Sequence, residues 1–168
     1  MTTVTEPTTA AAGGRVERLH PRVRLVWALG GLVLGVLLLV AGWLVERFVF
    51  ALPAWLAPAV ATAVFLLGLV LAVVRYRVWR FQLQDDALYL ERGVFTRVET
   101  AVPYVRVQHI DTQRGPVDRL VGLSSVVVYT AGSRGADVTV PGLVPERARR
   151  LRDRLRELAV EAEPGDAV

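Results

Sequence analysis

His109 and Asp111 are the two residues of this sequence whose types and spacing most resemble an acid–base unit. They lie two apart in a stretch that alternates as a strand does, so both side chains fall nominally on one face, where an aspartate could orient a histidine general base. A triad would also need a nucleophile, and Ser124, Ser125 and Ser133 lie in no nucleophile-elbow sequence. The alternative, which we favour, is that the pair is structural and hydrogen-bonds to neighbouring backbone.

Metal and cofactor chemistry has little support in the sequence. The chain contains no Cys, which excludes disulfides, thiolate catalysis and zinc sites of the Cys type. His20 is the other of only two histidines, so a metal site would have to combine one His with carboxylates. The sequence also lacks a Gly-rich phosphate loop and a dinucleotide fingerprint. We therefore expect a protein that is not an enzyme and that has no cofactor and no metal site.

Arginines that flank long apolar segments are a second group of residues with a possible binding role. Basic groups beside an anionic membrane leaflet each contribute on the order of 1 kcal/mol of attraction. The chain has 20 basic residues, all of them Arg, but a net charge of only +4, so we expect no nucleic-acid binding. We predict instead that five arginines hold the chain at the surface of a lipid bilayer, set its topology, or do both: Arg22, Arg24, Arg75, Arg77 and Arg80.

The elements that position these arginines are two uncharged apolar stretches, 25–45 and 54–74. At about 1.5 Å of rise per residue, each helix is long enough to cross the roughly 30 Å hydrocarbon core of a bilayer. The link between them is short, so the helices form an antiparallel hairpin. Buried helices of a soluble protein are a poor alternative because too few residues remain to cover them. A signal peptide is a poor alternative because a second span follows at once.

Orientation and helix packing follow from the residues around and within the spans. Basic residues precede the first span and follow the second, whereas the loop between them has only Arg47. Because Lys and Arg stay on the cytoplasmic side, we predict a multi-pass protein of the cell (inner) membrane with both termini in the cytoplasm. Gly31 and Gly35 are spaced to allow close approach of the second helix. The small residues expected to meet them are Ala57, Ala61 and Ala63.

After residue 75 the pattern alternates as in β-strands. We predict strands at 79–83, 88–92, 94–102, 105–112, 124–130 and 137–140, with a hairpin turn at Gly93 and a bulge near Gln108 and His109. Pro145 opens a helix with an apolar stripe of Ala148, Leu151, Leu155 and Leu158. The predicted fold class is a membrane α-helical hairpin plus a mainly-β antiparallel barrel or sandwich, capped by a C-terminal amphipathic helix. The predicted domains are a disordered tail (1–21), the hairpin (22–75), the β-domain (76–160) and a C-terminal tail (161–168).

One block of the sequence is similar to a known family. The run from Pro103 to Leu123, with Leu88–Phe95 before it and Thr130–Ser133 and Pro141–Leu143 after it, resembles the bacterial pleckstrin-homology-like (YdbS-like) membrane protein family. The resemblance covers roughly residues 22–158 and implies a pleckstrin-homology-like (PH-like) barrel, a membrane location and a non-catalytic role. The matching positions, structural or binding, are Pro103, Arg106, Gln108, His109, Asp111, Gly115 and Gly122.

Several functions remain open at this point. We favour a cytoplasmic PH-like domain that acts as a binding or scaffold module for other membrane proteins, for PH-like domains or for itself, in envelope maintenance or stress response. The alternative is a sensor of lipid or small ligands at the membrane surface, although the acidic loop at 84–87 argues against specific inositol phosphate recognition. A transporter accessory subunit is disfavoured because the spans carry no ionisable residue, and a membrane enzyme because the nucleophile and metal set are missing.

Overall fold

The computed structural model describes residues 16–48, 53, 55–131 and 137–162. Most of the predicted N-terminal tail, the greater part of the loop between the spans, residues 132–136 and the last six residues lie outside the described residues.

Two long apolar helices, α1 (Val23–Phe48) and α2 (Leu56–Val78), form the predicted antiparallel pair. Each has a mean hydropathy of 2.5 over its most apolar segment, and most of its side chains face outward. By length and composition both helices are able to cross a membrane.

Small residues bring the two helices together, as predicted. A Cβ atom added to Gly68 would lie 2.9 Å from the Cα of Gly31, and one added to Gly35 would lie 3.1 Å from the carbonyl oxygen of Ala61. The expected contact of Gly35 with Ala61 is therefore confirmed. Ala63 is exposed, however, and Gly68 is the residue that meets Gly31.

Seven strands in the described part of the chain form two antiparallel sheets. The first sheet has the order β1 (Val16–Arg18), β2 (Arg80–Leu83), β3 (Ala87–Arg92) and β4 (Val98–Pro103). The second has the order β5 (Val107–Gln113), β6 (Ser124–Thr130) and β7 (Val138–Leu143). A 3₁₀ turn (Tyr104–Arg106) joins the sheets, α3 (Pro116–Val121) follows β5, and α4 (Pro145–Ala162) closes the domain. The sheets form a sandwich, and no pairing among the described residues closes them into a barrel.

Strand β1 corrects the predicted extent of the N-terminal tail. Residues 1–21 were expected to be disordered, yet Glu17 lies opposite Phe81 in an antiparallel pair with β2. The guanidinium of Arg147 bonds to the Glu17 carboxylate and donates to the Arg18 carbonyl oxygen at 2.8 Å. A three-residue strand is too short to show alternation in the sequence, and its partners come from distant parts of the chain.

The remaining strands match the sequence pattern in number and order and differ from it at their ends. β4 starts at Val98 and not at Val94, because Gly93 adopts a left-handed φ of 110° and opens a turn. Pro103 does not break the pairing before β4 ends, since it is still paired with Ala87. The predicted bulge is confirmed, because the β5–β6 register shifts between Val107 and His109.

The core lies between the two sheets and α4, and it also includes the start of α1. Leu151 and Leu155 of the predicted apolar stripe are buried in it. Leu19 and Val23 are buried in the same cluster, with only 3% and 2% of their surfaces exposed. The boundary predicted at residue 76 therefore separates residues that share one core, because the chain enters the first span directly from the β-domain.

Candidate binding site beside strand β5

The His109 and Asp111 side chains contact each other in open solvent. His109 Nε2 lies 2.8 Å from Asp111 Oδ1, and the side chains are 68% and 45% exposed. We predicted that they would bond to neighbouring backbone, but at this bulge the strand turns both side chains outward, where they meet each other. The His109 ring also packs against Tyr129, with 5.9 Å between ring centroids.

The surroundings of this pair do not assemble a catalytic triad from the residues that the sequence offered. The β6 residue opposite His109 is Tyr129, whereas Ser125 lies four residues away, opposite Gln113. The Ser125 hydroxyl donates to the Gln113 carbonyl oxygen at 3.5 Å, and Ser124 is buried. Ser133 lies outside the described residues. With their large exposure, His109 and Asp111 are available for surface contacts.

A groove of about 640 Å³ runs beside this pair, between the start of β5 and helix α4. One wall consists of residues of the 3₁₀ turn and of strand β5: Tyr104, Val105, Val107, Gln108, His109 and Ile110. The opposite wall is α4. It contributes Arg152, Asp153, Arg156, Ala159 and Val160.

Among the described strands, β5 is the terminal strand of its sheet and pairs with β6 on one side only. Residues 107–110 of β5 line the groove. A terminal strand presents unpaired backbone N–H and C=O groups that can pair with an added strand. Val105 is 62% exposed at the mouth of the groove, so an apolar contact is available next to the polar backbone.

The charges on the α4 wall are uneven. Arg152 donates to Asp153 at 2.7 Å, so these two charges largely satisfy each other. Arg156 has no carboxylate within ion-pair distance among the described residues, in contrast to Arg154, which donates to Glu157 at 3.0 Å. The groove therefore has an available positive charge at Arg156.

Tyr104 fixes the end of the groove wall. Its hydroxyl donates to the Gln84 carbonyl oxygen at 2.8 Å, and its backbone N–H donates to the Asp86 carbonyl oxygen at 3.2 Å. Burial, with a contribution from the nearby Asp86 carboxylate, raises the pKa of Tyr104 to about 12. The phenol therefore remains a hydrogen-bond donor at neutral pH and ties the 3₁₀ turn to the β2–β3 turn.

Four other family-motif residues shape the backbone before and after β5. Pro103 ends β4, and the carbonyl oxygen of Arg106 accepts from the Ala131 N–H at 2.9 Å. Gly115 precedes α3, where its N–H donates to Asp118 Oδ2 at 3.3 Å. Gly122 ends α3 with a left-handed φ of 70°. Of the seven motif positions, only Gln108 and His109 line the groove.

The five arginines of the predicted membrane surface lie where the hairpin meets the β-domain. Arg75 lies over the Trp27 ring, 4.3 Å from its centroid, and Arg24 lies 5.0 Å from the Tyr76 ring centroid. These cation–π contacts join α1 to α2 at the ends of the apolar segments. All five arginines, which also include Arg22, Arg77 and Arg80, are exposed.

Residues 22–159 match the family model described as "Bacterial PH domain". The chain belongs to this family. The resemblance seen in the sequence is thereby confirmed.

Two relatives come from Bacillus subtilis (strain 168). The chain is 35% identical over 150 residues to the UPF0699 transmembrane protein YdbS. The aligned region covers 85% of this chain and 92% of YdbS. The chain is also 26% identical over 97 residues to the UPF0699 transmembrane protein YdbT. This aligned region covers 56% of this chain and 20% of YdbT. No solved structure matches the chain. We conclude that this is a membrane protein carrying a bacterial PH domain.

Sequence reasoning missed the α4 side of the groove. In the sequence Arg156 is one of several arginines of the C-terminal helix, and its spacing gives no signal of a groove. Only the packing of α4 against β5 distinguishes it from Arg154. The sequence signal that pointed to this region was the strand irregularity at Gln108 and His109.

Proposed function

We propose that the protein is a non-catalytic binding module anchored in the cell membrane. The bacterial PH domain binds an extended segment of another membrane protein along the free edge of β5, in the groove that α4 completes. The observation that carries this proposal is that β5, the terminal strand of its sheet in the described part of the chain, lines that groove. A second copy of the chain or a related PH-like domain is one form that such a partner takes.

The chemistry of the groove fits a strand-like segment. Backbone pairing with β5 supplies affinity without regard to sequence, and alternate side chains of the added strand face the groove and α4. Arg156 favours an acidic or C-terminal carboxylate group on the segment. Val105 offers an apolar contact at the mouth of the groove.

The membrane arrangement that we propose follows the positive-inside rule. Both spans cross the inner membrane, and the two termini and the PH domain lie in the cytoplasm. Envelope maintenance or stress response is the process that we propose, supported by the membrane location and the family. A cytoplasm-specific reporter fused after Val168 should be active, and activity only of an exported reporter at the same position would refute this topology.

Binding of a partner in the groove is tested by photocrosslinking with the full-length protein in native membranes. A photoreactive phenylalanine at Val105 should capture a defined partner, whereas the same group at Tyr89, exposed on β3 of the other sheet, should not. Capture at Val105 should fall a few-fold with Arg156→Glu, since an exposed charge contributes up to about 1 kcal/mol.

The matched control is Arg154→Glu, because Arg154 lies on the same helix but does not line the groove. Equal capture from Val105 and Tyr89, or equal loss with Arg156→Glu and Arg154→Glu, would contradict binding in the groove.

A sensor of lipid is the second candidate function. The observation that favours it is the set of exposed arginines where the spans meet the domain. Their side chains lie at the depth of the lipid head groups if the spans cross a bilayer, and anionic head groups are attracted there.

A further inference from the structure

A second cavity, of about 530 Å³, lies between α2 and the turn that joins β3 to β4. We call it the turn cavity. Gly68, Leu71 and Ala72 of α2 form its apolar part, and Arg75 and Arg92 form its basic part. The remaining lining residues are Trp27, Trp79, Gly93, Val94, Phe95 and Val98.

The apolar part of the turn cavity extends into the depth of the bilayer. Arg75 follows Gly68 by seven residues, which corresponds to roughly 10 Å along a helix axis. Arg75 and the indole of Trp27 mark the head-group level, where aromatic and basic side chains are favoured. If the spans cross a bilayer, the cavity therefore runs from the level of the head groups toward the acyl chains.

The β3–β4 turn and the start of β4 contribute exposed apolar side chains to the cavity. Phe95 is 90% exposed and Val98 is 40% exposed. The turn requires glycine at position 93, because a Cβ there would lie 1.8 Å from the Thr96 carbonyl oxygen. A phenylalanine on this turn, beside a membrane-spanning helix, is stabilised by contact with acyl chains and not by water.

The charge of the turn cavity is positive. Two of its lining residues are arginines and none is acidic. Neither Arg75 nor Arg92 has a carboxylate within ion-pair distance among the described residues, whereas Arg97 on the same turn is paired with Glu91. Guanidinium groups bind phosphate oxygens in paired hydrogen bonds, so two of them at one cavity form a receptor for a phosphate group.

We propose that the turn cavity binds one anionic phospholipid of the leaflet that faces the PH domain. Its phosphate lies between Arg75 and Arg92, and one acyl chain lies along Gly68 and Leu71 under Phe95. Inorganic phosphate would use only the basic part of the cavity and leave the apolar part uncovered. This lipid site is separate from the β5 groove, so either proposal stands if the other fails.

The first experiment measures lipid bound to the full-length protein by native mass spectrometry. The protein is released from vesicles of phosphatidylglycerol and phosphatidylcholine. We expect one phosphatidylglycerol to remain on the wild type and about fivefold less on Arg92→Gln, the factor expected for one basic group at an anionic lipid. The matched control is Arg77→Gln, since Arg77 is exposed near the same boundary but does not line the cavity.

Equal losses with Arg92→Gln and Arg77→Gln would overturn the site in favour of diffuse surface attraction. Retention of phosphatidylcholine as strongly as phosphatidylglycerol would also overturn it, as would release of phosphatidylglycerol by millimolar inorganic phosphate.

The second experiment tests the apolar half without changing a charge. A photoreactive benzoylphenylalanine in place of Phe95 should crosslink to a phospholipid acyl chain in vesicles. The same group in place of Val160, 65% exposed on α4, should not. A crosslink from position 95 to protein only would show that another chain covers the cavity and would refute the lipid site.

Discussion

At the scale of single residues, Tyr104 connects pH to stability. Its pKa is raised to about 12 by burial and by Asp86, whereas a tyrosine in an unfolded chain titrates near pH 10. The folded state therefore holds the phenolic proton more tightly. The stability that this group contributes is complete below about pH 10 and is lost as the pH rises from about 10 to about 12.

The variant Tyr104→Phe tests this contribution. It removes the hydrogen bond to the Gln84 carbonyl oxygen, so we expect the free energy of unfolding to fall by about 1 kcal/mol at neutral pH. Between pH 10 and 12 the wild type should lose stability that the variant does not lose. Denaturant unfolding of the detergent-solubilised protein at several pH values measures both effects, with Tyr89→Phe on the exposed face of β3 as the control.

Gly142 is a residue at which backbone conformation and packing both require glycine. Its φ is 65°, and a Cβ there would lie 2.6 Å from the Cβ of Val23. The left-handed conformation and the overlap should together destabilise Gly142→Ala by about 3 kcal/mol. Gly115→Ala is the control, because Gly115 has an ordinary φ of −67°. Similar thermal midpoints for the two variants would show that Val23 moves away readily.

At the scale of elements, two adjacent glycines of α1 allow the packing of the helix hairpin to be tested. Gly31 is in contact with Gly68, whereas a Cβ added to Gly30 would meet nothing within 4 Å. Gly31→Leu should force α1 and α2 apart and destabilise the protein by about 1–3 kcal/mol. Gly30→Leu adds the same side chain on the open side and should change little. Thermal unfolding in detergent measures the difference, and equal midpoints would contradict the packing described.

How well the sequence predicts an element depends on how many consecutive residues carry its pattern. The spans and the stripe of α4 were predictable because their periodicity is continuous over many residues. The start of β4 was not, because Val94 and Val98 have the same parity and the alternation does not show where Gly93 turns the chain. The groove between β5 and α4 was not predictable either, because Arg156 and His109 are brought together only by the packing of α4 on β5.

At the scale of the whole molecule, the membrane hairpin is inserted into the β-domain and does not precede it. Leu19 and Val23 are core residues, and β1 extends the first sheet. The chain leaves the domain at α1 and returns beside the point of departure, because the Arg24 guanidinium lies 5.0 Å from the Tyr76 ring centroid. A domain defined by sequence order alone, 76–160, lacks one strand and part of its core.

This arrangement predicts which soluble form of the domain folds. A chain of residues 15–24 joined to 76–162 by a short Gly/Ser linker keeps β1, Leu19 and Val23, and should unfold cooperatively in thermal scans. Residues 76–162 alone expose the surface that Leu19 and Val23 cover, and burial of each such side chain contributes about 1.5–3 kcal/mol. Since small domains are stable by only about 5–15 kcal/mol, the shorter chain should be largely unfolded or aggregated. A cooperative transition at the same temperature in both chains would mean that the N-terminal segment lies on the domain without stabilising it.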